Sequence, residues 1–340
     1  MAQYFIVLYI MLPISFLPGV KKRNVSDHII TDTSTELRGL GMALIVLAHA
    51  VGSNSNTATF FFYVSAILGV GACFLLSGYG LYKSYHTKEG YMDHFLIPKF
   101  SRVLIPYLIL LVVDHVITAV LTGSFQIRSL FIELLSLKIN THLLWYIKVQ
   151  LLLYLFFYVG FRFLDEKKAI LCVFVLTALF IAIAIIAGLQ IYWYNTCLFF
   201  PLGIILAKFD RKLIPLIVSW KGIILSSLSF GFVFLTIFFF GKLHMAFLVD
   251  TVYILSFLIL SIGLFSRWGG SKVFAFLGKR SMEVYLVHVI LLGFNLFGIF
   301  SHENAWSYLL LLIITAVISY LLFPIDNALA KRLSAAVSKR

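Results

Sequence analysis

The chain has 340 residues, of which 61% are hydrophobic and 12% are charged, with a formal net charge of +13 and a mean hydropathy of +1.02. Charged residues make up about 25% of ordinary soluble domains, and a soluble fold cannot cover this much apolar surface. The composition therefore excludes an ordinary soluble domain and predicts an all-α, polytopic transmembrane helical bundle.

Apolar stretches near the length that crosses a bilayer recur along the whole chain. We predict about eleven spans, at 4–20, 38–51, 60–82, 103–122, 142–161, 169–187, 190–207, 221–241, 246–266, 281–300 and 306–330. Pro13 and Pro18 interrupt the first stretch, which lacks the basic start and the A-x-A cleavage site of a signal peptide, so we interpret it as a retained span. The second stretch is short, and both a tilted and a partly re-entrant course stay open for it.

Lysines and arginines divide unevenly between alternate loops. If the C-terminal tail is cytoplasmic, all but four of the 27 lysines and arginines fall on the cytoplasmic side, the exceptions being Arg128, Lys138, Lys148 and Lys242. Because basic loops stay on the cytoplasmic side, we predict a multi-pass protein of the cell membrane with its N-terminus outside and its tail inside. We expect the cytoplasmic basic residues to contact membrane lipids. Their even spread over the loops argues against nucleic-acid binding, despite a pI near 9.6.

Signatures of soluble enzymes and metal sites do not occur in the sequence. Cys73, Cys172 and Cys197 lie in apolar runs without CxxC spacing or a paired histidine, so we expect buried thiols and no metal. No G-x-S-x-G, H-E-x-x-H or Walker sequence is present. Any chemistry must therefore come from polar groups within the spans.

Ionisable side chains inside spans are functional candidates because they are costly in lipid. They are His49, Asp114, His115, Lys148, Glu283 and His288. Structural interpretations stay open: a histidine can hydrogen-bond a neighbouring helix, and Lys148 can snorkel outward or pair with Asp114. In the segment RGLGMALIVLAH (38–49), no ionisable residue separates Arg38 from His49. A helix places these two residues about 16 Å apart, roughly half the thickness of the hydrocarbon layer.

Five segments along the chain combine polar or charged residues with apolar helix-forming sequence. They are Arg38 and His49 with ten residues between them, FLLSGYGLYKS (74–84), FLIPKFSRVLIPY (95–107), HLLWYIKVQLLLY (142–154) and LGKRSMEVYLVHV (277–289). Together they resemble the acyltransferase 3 family of integral membrane acyltransferases. The resemblance covers 36–330, which holds ten of the predicted spans, and it leaves 1–35 as an additional N-terminal span with a cytoplasmic linker and 331–340 as a basic cytoplasmic tail. Lys99 and Ala48 depart from the family pattern, which often has arginine and tryptophan at these positions.

The resemblance implies transfer of an acyl group, usually acetyl, from a cytoplasmic coenzyme A thioester to a hydroxyl of a lipid-linked or cell-surface glycan. It implies that His49 is the catalytic base or the acyl carrier, with Arg38 at the donor end of the same helix. Lys99 and Arg102 are expected to bind the phosphates of acetyl-CoA or another acyl-CoA, without a metal. Four more polar residues are expected to position substrate or to hold helices together: Ser77, Tyr146, Tyr285 and His288.

Two other classes also combine many spans with buried polar residues. The first alternative is a transporter or flippase of a lipid-linked sugar or similar solute, and the second is a structural or regulatory membrane protein. The sequence shows no evident inverted repeat of the kind that many transporters have. Together with the five ordered segments, this favours the enzyme, while the oligomeric state and the identity of the acceptor stay open.

Overall fold

The structure is a computed structural model that describes residues 3, 5–51, 64–135, 145–239, 247–294 and 304–338. The helices are α1 (Leu12–Ser15), α2 (Thr31–Val51), α3 (Ala66–Thr87), α4 (Leu96–Thr122), α5 (Ile127–Leu135), α6 (Trp145–Phe163), α7 (Glu166–Ile186), α8 (Phe199–Lys208), α9 (Asp210–Val218), α10 (Trp220–Phe239), α11 (Phe247–Arg267), α12 (Lys272–Lys279), α13 (Ser281–Phe294) and α14 (Ala305–Ser338). A π-helical segment (Phe5–Met11) precedes α1, and a 3-10 turn (Ile191–Trp193) precedes α8. Two short strands, β1 (Lys21–Lys22) and β2 (Trp268–Gly269), pair antiparallel.

Within the described ranges, eight helices are long and apolar enough to cross a membrane: α2, α3, α4, α6, α7, α10, α11 and α14. The predicted helical membrane bundle is confirmed, whereas the predicted count of about eleven spans is not. In 4–20, α1 ends at Ser15 before a turn at Pro18 and Gly19. In 190–207, turns occupy the chain up to Phe199, so α8 has only 10 residues. Of 281–300, the structure describes 281–294, where α13 has 14 residues.

Helix α2 is longer than the predicted span 38–51, because it begins at Thr31. Arg38 therefore lies about two turns inside the helix, and His49 lies in its last turn. The structure describes α2 as far as Val51. The separation between the two side chains along one continuous helix is as the sequence predicts.

Close packing of α2 against α3 places this helix at the centre of the bundle, where it also contacts α11, α12, α13 and α14. A methyl group on Gly69 would overlap the carbonyl oxygen of Gly41, so the two backbones approach this closely only because a side chain is absent. The contact sets the α2 positions of Arg38 and His49 beside the polar face of α3.

The segment before α2 is hydrogen-bonded to the connection between α11 and α12. Beyond the short β1–β2 pair, the Arg23 amide donates to the Arg267 carbonyl oxygen at 2.7 Å. The Glu36 carboxylate accepts from the Arg23 guanidinium at 2.6 Å and from the Gly270 amide at 3.0 Å. These contacts hold the first turns of α2 in place at this end of the bundle.

Candidate active site

Two histidines that lie far apart in the sequence meet in the structure. His49 Nδ1 on α2 lies 2.8 Å from His288 Nε2 on α13, and the two rings stack with centroids 5.1 Å apart. His288 is fully buried, and its Nδ1 lies 3.0 Å from the carbonyl oxygen of Val284. His49 is only partly buried. The structure thus joins the predicted catalytic histidine to one of the residues predicted to position substrate.

Aromatic side chains line the neighbourhood of the histidine pair. Tyr285 packs edge-on against His288 with centroids 5.6 Å apart, and Tyr146 of α6 packs against Tyr285 at 5.0 Å. Tyr146 also stacks on Phe74 of α3 at 5.2 Å and donates to Gln150 Oε1 at 3.0 Å. The two tyrosines from distant segments are therefore adjacent, and they connect α3 and α6 to the histidines.

Polar side chains continue from these tyrosines toward Arg38. Tyr154 lies about two turns from Tyr146 on the same face of α6, and its hydroxyl interacts with Ser77 of α3. Arg38 is close enough to act electrostatically on Tyr146 and Tyr154, and also on the buried thiol of Cys73. We call this row the polar lane; it comprises Arg38, Ser77, Tyr154, Cys73, Tyr146, Gln150, Tyr285, His288 and His49.

Gln150 and Tyr154 are members of the lane that sequence analysis missed. The available signal is their spacing, because Tyr146, Gln150 and Tyr154 recur every four residues in a largely apolar helix. This period places all three on one helix face. A polar stripe within an apolar span faces a protein interior rather than lipid, so the pattern predicts a polar passage beside α6.

Four cations gather at the Arg38 end of the lane, and the three predicted to serve the donor are among them. Lys99 on α4 is half-buried, and it interacts electrostatically with Arg38, Arg102 and Lys88. Its ammonium lies 5.7 Å from the centre of the Tyr91 ring. Across the described part of the chain, no carboxylate forms an ion pair with Arg38, Lys99 or Arg102. We call these three residues the unpaired cluster, and the structure brings the predicted donor ligands together with Arg38.

Other cations at this end of the bundle are neutralised by buried or half-buried carboxylates. We call these ion pairs the paired belt; they are Arg23–Glu36 at 2.6 Å, Lys208–Glu166 at 2.7 Å and Lys83–Asp210. Tyr79 of α3 adds a neutral link, since its hydroxyl donates to Asp210 and accepts from the Ile29 amide, both at 3.0 Å. The belt joins α2, α3, α7, α8 and α9 to the segment before α2.

Aromatic rings cluster where α6 begins, at the opposite end of the bundle from the belt. Trp145 is 9% exposed, and its ring centroid lies 5.6 Å from Tyr192 and 6.2 Å from Trp193. Lys148 lies over Trp193, 5.8 Å from the ring centroid. By contrast, Trp306 at the start of α14 is 49% exposed. Tryptophans of a membrane-interface belt face lipid and headgroups, which describes Trp306 but not Trp145.

The remaining ionisable groups of the spans contact other partners. The carboxyl groups of Glu283 on α13 and Asp326 on α14 are close enough to interact with each other. His115 of α4 lies 3.1 Å from the Leu111 carbonyl oxygen and 4.0 Å from the Glu133 carboxylate of α5. These contacts link neighbouring helices. In the ranges that the structure covers, no three histidine, cysteine or carboxylate side chains are grouped so that they could hold a metal ion.

Comparison with known families gives one match. A family model described as an acyltransferase domain, that of the acyltransferase 3 family, matches residues 37–323. No curated protein and no solved structure matches the chain. The matched region contains every residue of the polar lane and of the unpaired cluster.

Proposed function

Because this match spans most of the chain, the protein belongs to the acyltransferase 3 family and is a membrane acyltransferase, and we propose that it transfers acetyl from cytoplasmic acetyl-CoA to a hydroxyl of a cell-surface or lipid-linked glycan. The observation that carries this proposal is the polar lane. It connects three unpaired cations to a partly accessible imidazole through an apolar bundle. A polyanionic thioester needs cations that have no carboxylate partner, and an attacking hydroxyl needs an imidazole that can take its proton.

The unpaired cluster supports a polyanionic donor. Neighbouring cations without carboxylates repel one another, and a bound anion relieves that repulsion. Arg38 and Arg102 present planar guanidinium groups that suit phosphate oxygens, whereas Lys99 contributes a point charge. We propose that the phosphates of coenzyme A bind at this cluster. The extended pantetheine arm then follows the lane and brings the thioester to His49, about 16 Å along α2 from Arg38.

His49 supplies the chemistry in this proposal. Its imidazole accepts the proton of the sugar hydroxyl as the hydroxyl oxygen bonds to the thioester carbonyl carbon. The carbon–sulfur bond then breaks, and the departing thiolate takes the proton from the imidazolium, which leaves an O-acetyl ester, free coenzyme A and neutral His49. In the alternative route, the lone pair of His49 attacks the thioester carbonyl carbon and expels the coenzyme A thiolate. The sugar hydroxyl then takes the acetyl group from the imidazole, and its proton passes to the thiolate. Both routes use one lone pair on His49.

The aromatic cluster around Trp145 supports a sugar as the acceptor. The C–H faces of a sugar ring pack well on flat aromatic rings, and the partly exposed rings of Tyr192 and Trp193 pack around the buried Trp145. Trp145 directly precedes Tyr146, which packs on Tyr285 beside the histidines. We propose that the acceptor approaches from this end of the bundle and that the hydroxyls of Tyr146 and Tyr285 orient it.

A transfer assay tests the proposal directly. Membranes that contain the protein should move radiolabel from acetyl-CoA into glycan, and membranes with the His49→Gln variant should not. A flippase or transporter would instead move lipid-linked sugar across the membrane without acetyl-CoA. Sugar movement without label transfer, with every glycan fraction offered, would reject the enzyme and favour the transporter.

We also propose that the N-terminus is outside the cell and that the tail is cytoplasmic. The basic loops support this orientation. In a chain whose native cysteines are replaced, a cysteine at Ser124, exposed between α4 and α5, should react with an impermeant thiol reagent in intact cells. A cysteine at Thr87, exposed at the end of α3, should react only after permeabilisation. Equal reaction of both in intact cells would contradict the orientation.

A further inference from the structure

Each hydrogen bond of the two histidines has a defined donor and acceptor, and this order assigns a role to the buried ring of His288. We propose that His288 fixes His49 in the tautomer whose Nε2 carries the lone pair. His288 is then a positioning residue for acyl transfer, and it does not touch the substrates. The role in turnover rests on the proposed function, whereas the tautomer itself does not.

A backbone carbonyl group of α13 determines which nitrogen of His288 donates. The Val284 carbonyl oxygen can only accept, so His288 Nδ1, 3.0 Å away, must donate a proton to it. A neutral imidazole has one N–H, so His288 Nε2 holds a lone pair and can only accept. His49 Nδ1 lies 2.8 Å from this nitrogen and must therefore be the donor. The remaining ring nitrogen of neutral His49, Nε2, then holds the reactive lone pair.

This tautomer of His49 requires both rings to be neutral, and their surroundings favour neutral rings. His288 has no exposed surface, and none of the carboxylates in the described ranges forms an ion pair with either histidine. A buried imidazolium without a counter-charge is costly. A protonated His288 would also reverse the arrangement, because its Nε2 would donate and His49 Nε2 would then carry the proton.

Burial separates the roles of the two rings. His288 is enclosed, and Tyr285 packs edge-on against it with centroids 5.6 Å apart, which holds the ring in its orientation. His49 is partly exposed, and no described residue is hydrogen-bonded to its Nε2. The lone pair therefore lies on the ring nitrogen of His49 that is hydrogen-bonded to no described residue, and we assign the substrate contact to this nitrogen. The same lone pair serves whether His49 acts as a base or as an acyl carrier.

Nitrogen NMR tests the tautomer without any assay of activity. The full-length protein, labelled with ¹⁵N-histidine and held in lipid nanodiscs, should show His49 protonated at Nδ1 and unprotonated at Nε2 at neutral pH. Comparison with the His49→Gln and His288→Gln spectra assigns the signals. In His288→Leu, which has no acceptor, His49 should shift toward the Nε2–H tautomer. A native His49 with its proton on Nε2 would overturn the proposal.

Kinetics test whether the tautomer matters for turnover. His288→Leu should lower kcat for acetyl transfer by about 10²-fold with little change in either KM, because the other tautomer of His49 already carries its proton on Nε2, the nitrogen that must accept one. His288→Gln should restore most of this loss, since its Oε1 can accept from His49 Nδ1. Equal losses in the Gln and Leu variants, with equal folding by thermal melts, would overturn the positioning role.

The two measurements separate this proposal from the proposed function. If the native protein transfers no acetyl group but His49 has the stated tautomer that depends on His288, the proposed function fails and the structural assignment stands. If acetyl transfer occurs but His49 holds its proton on Nε2, the function stands and the role of His288 is refuted.

Discussion

The polar lane and the paired belt both place polar side chains in an apolar bundle, but they leave those side chains in opposite states. In the belt, each cation faces a carboxylate, as in Arg23–Glu36 and Lys208–Glu166. In the lane, the cation Arg38 and its neighbour Lys99 have no carboxylate partner among the described residues, and His49 Nε2 has no hydrogen-bond partner there. The fold therefore neutralises the cations of the paired belt, whereas Arg38 and Lys99 have no counter-charge among the described residues.

This difference indicates how a membrane protein separates stability from function. An ion pair inside the protein offsets the desolvation of its own members and fastens helices to one another. Unpaired polar groups gain such compensation only when a ligand arrives, so they add to binding or catalysis and not to folding. Changes in the lane should therefore alter turnover at constant stability, and changes in the belt should do the reverse.

The largest effect is expected at the end of the lane. His49→Gln should lower acetyl transfer by about 10²–10⁴-fold, because glutamine can donate to His288 but cannot act as a base. Expression and thermal stability should stay near native, and His94→Gln, at an exposed histidine, provides the matched control. Turnover near the native rate, measured with labelled acetyl-CoA, would make His49 a helix–helix link and remove the catalytic role of the lane.

A smaller effect is expected at the unpaired cluster. The double variant Lys99→Gln/Arg102→Gln should raise the KM for acetyl-CoA by about 10–100-fold, or about 1.4–2.8 kcal/mol, which is roughly one hydrogen bond to a charged group, because the exposed Arg102 adds little. The KM for the acceptor should change little. Lys167→Gln/Lys168→Gln removes the same charge at exposed positions in the first turn of α7 and is the control. If both double variants raise the donor KM equally, net charge and not this cluster attracts the donor.

The belt should show the opposite pattern. Glu36→Gln leaves the Arg23 guanidinium without a counter-charge in a contact where the glutamate side chain is only 3% exposed. We expect a loss of about 2 kcal/mol of stability, seen as a lower Tm, and an unchanged turnover per folded molecule. Glu89→Gln makes the same chemical change at an exposed position. A native Tm together with impaired turnover would mean that the two regions are not functionally separate.

The smallest effect is expected where the acceptor is proposed to bind. Trp145→Ala should raise the acceptor KM by about 3–10-fold, because a packed aromatic contact contributes about 0.5–1.5 kcal/mol. Trp306→Ala removes an equal ring from a position that is 49% exposed and should leave this KM unchanged. A comparison of acceptor titrations at saturating acetyl-CoA measures both. Identical titrations for the two variants would assign Trp145 to packing.

The turns after α1 and before α8 show where the predicted spans differ from the described helices. Hydropathy is averaged over a window, so the stretch 190–207 has the composition of a span even though turns occupy it as far as Phe199. The start of α2 at Thr31 was missed for the opposite reason. Its first turns carry polar residues such as Asp32 and Glu36, which end an apolar window but continue a helix.

The sequence alone determined the membrane class of this protein, the type of its secondary structure and the identity of its candidate residues. These follow from local properties, because apolar length sets what can enter lipid and a spacing such as that of Arg38 and His49 is read within one helix. Only the tertiary structure decided which polar groups are satisfied. His49 contacts His288, which lies more than two hundred residues later in the chain. Lys83 forms an ion pair with Asp210, whereas Lys99 forms none with any carboxylate among the described residues. These outcomes depend on which helices pack together, and that choice is made by contacts between residues far apart in the chain.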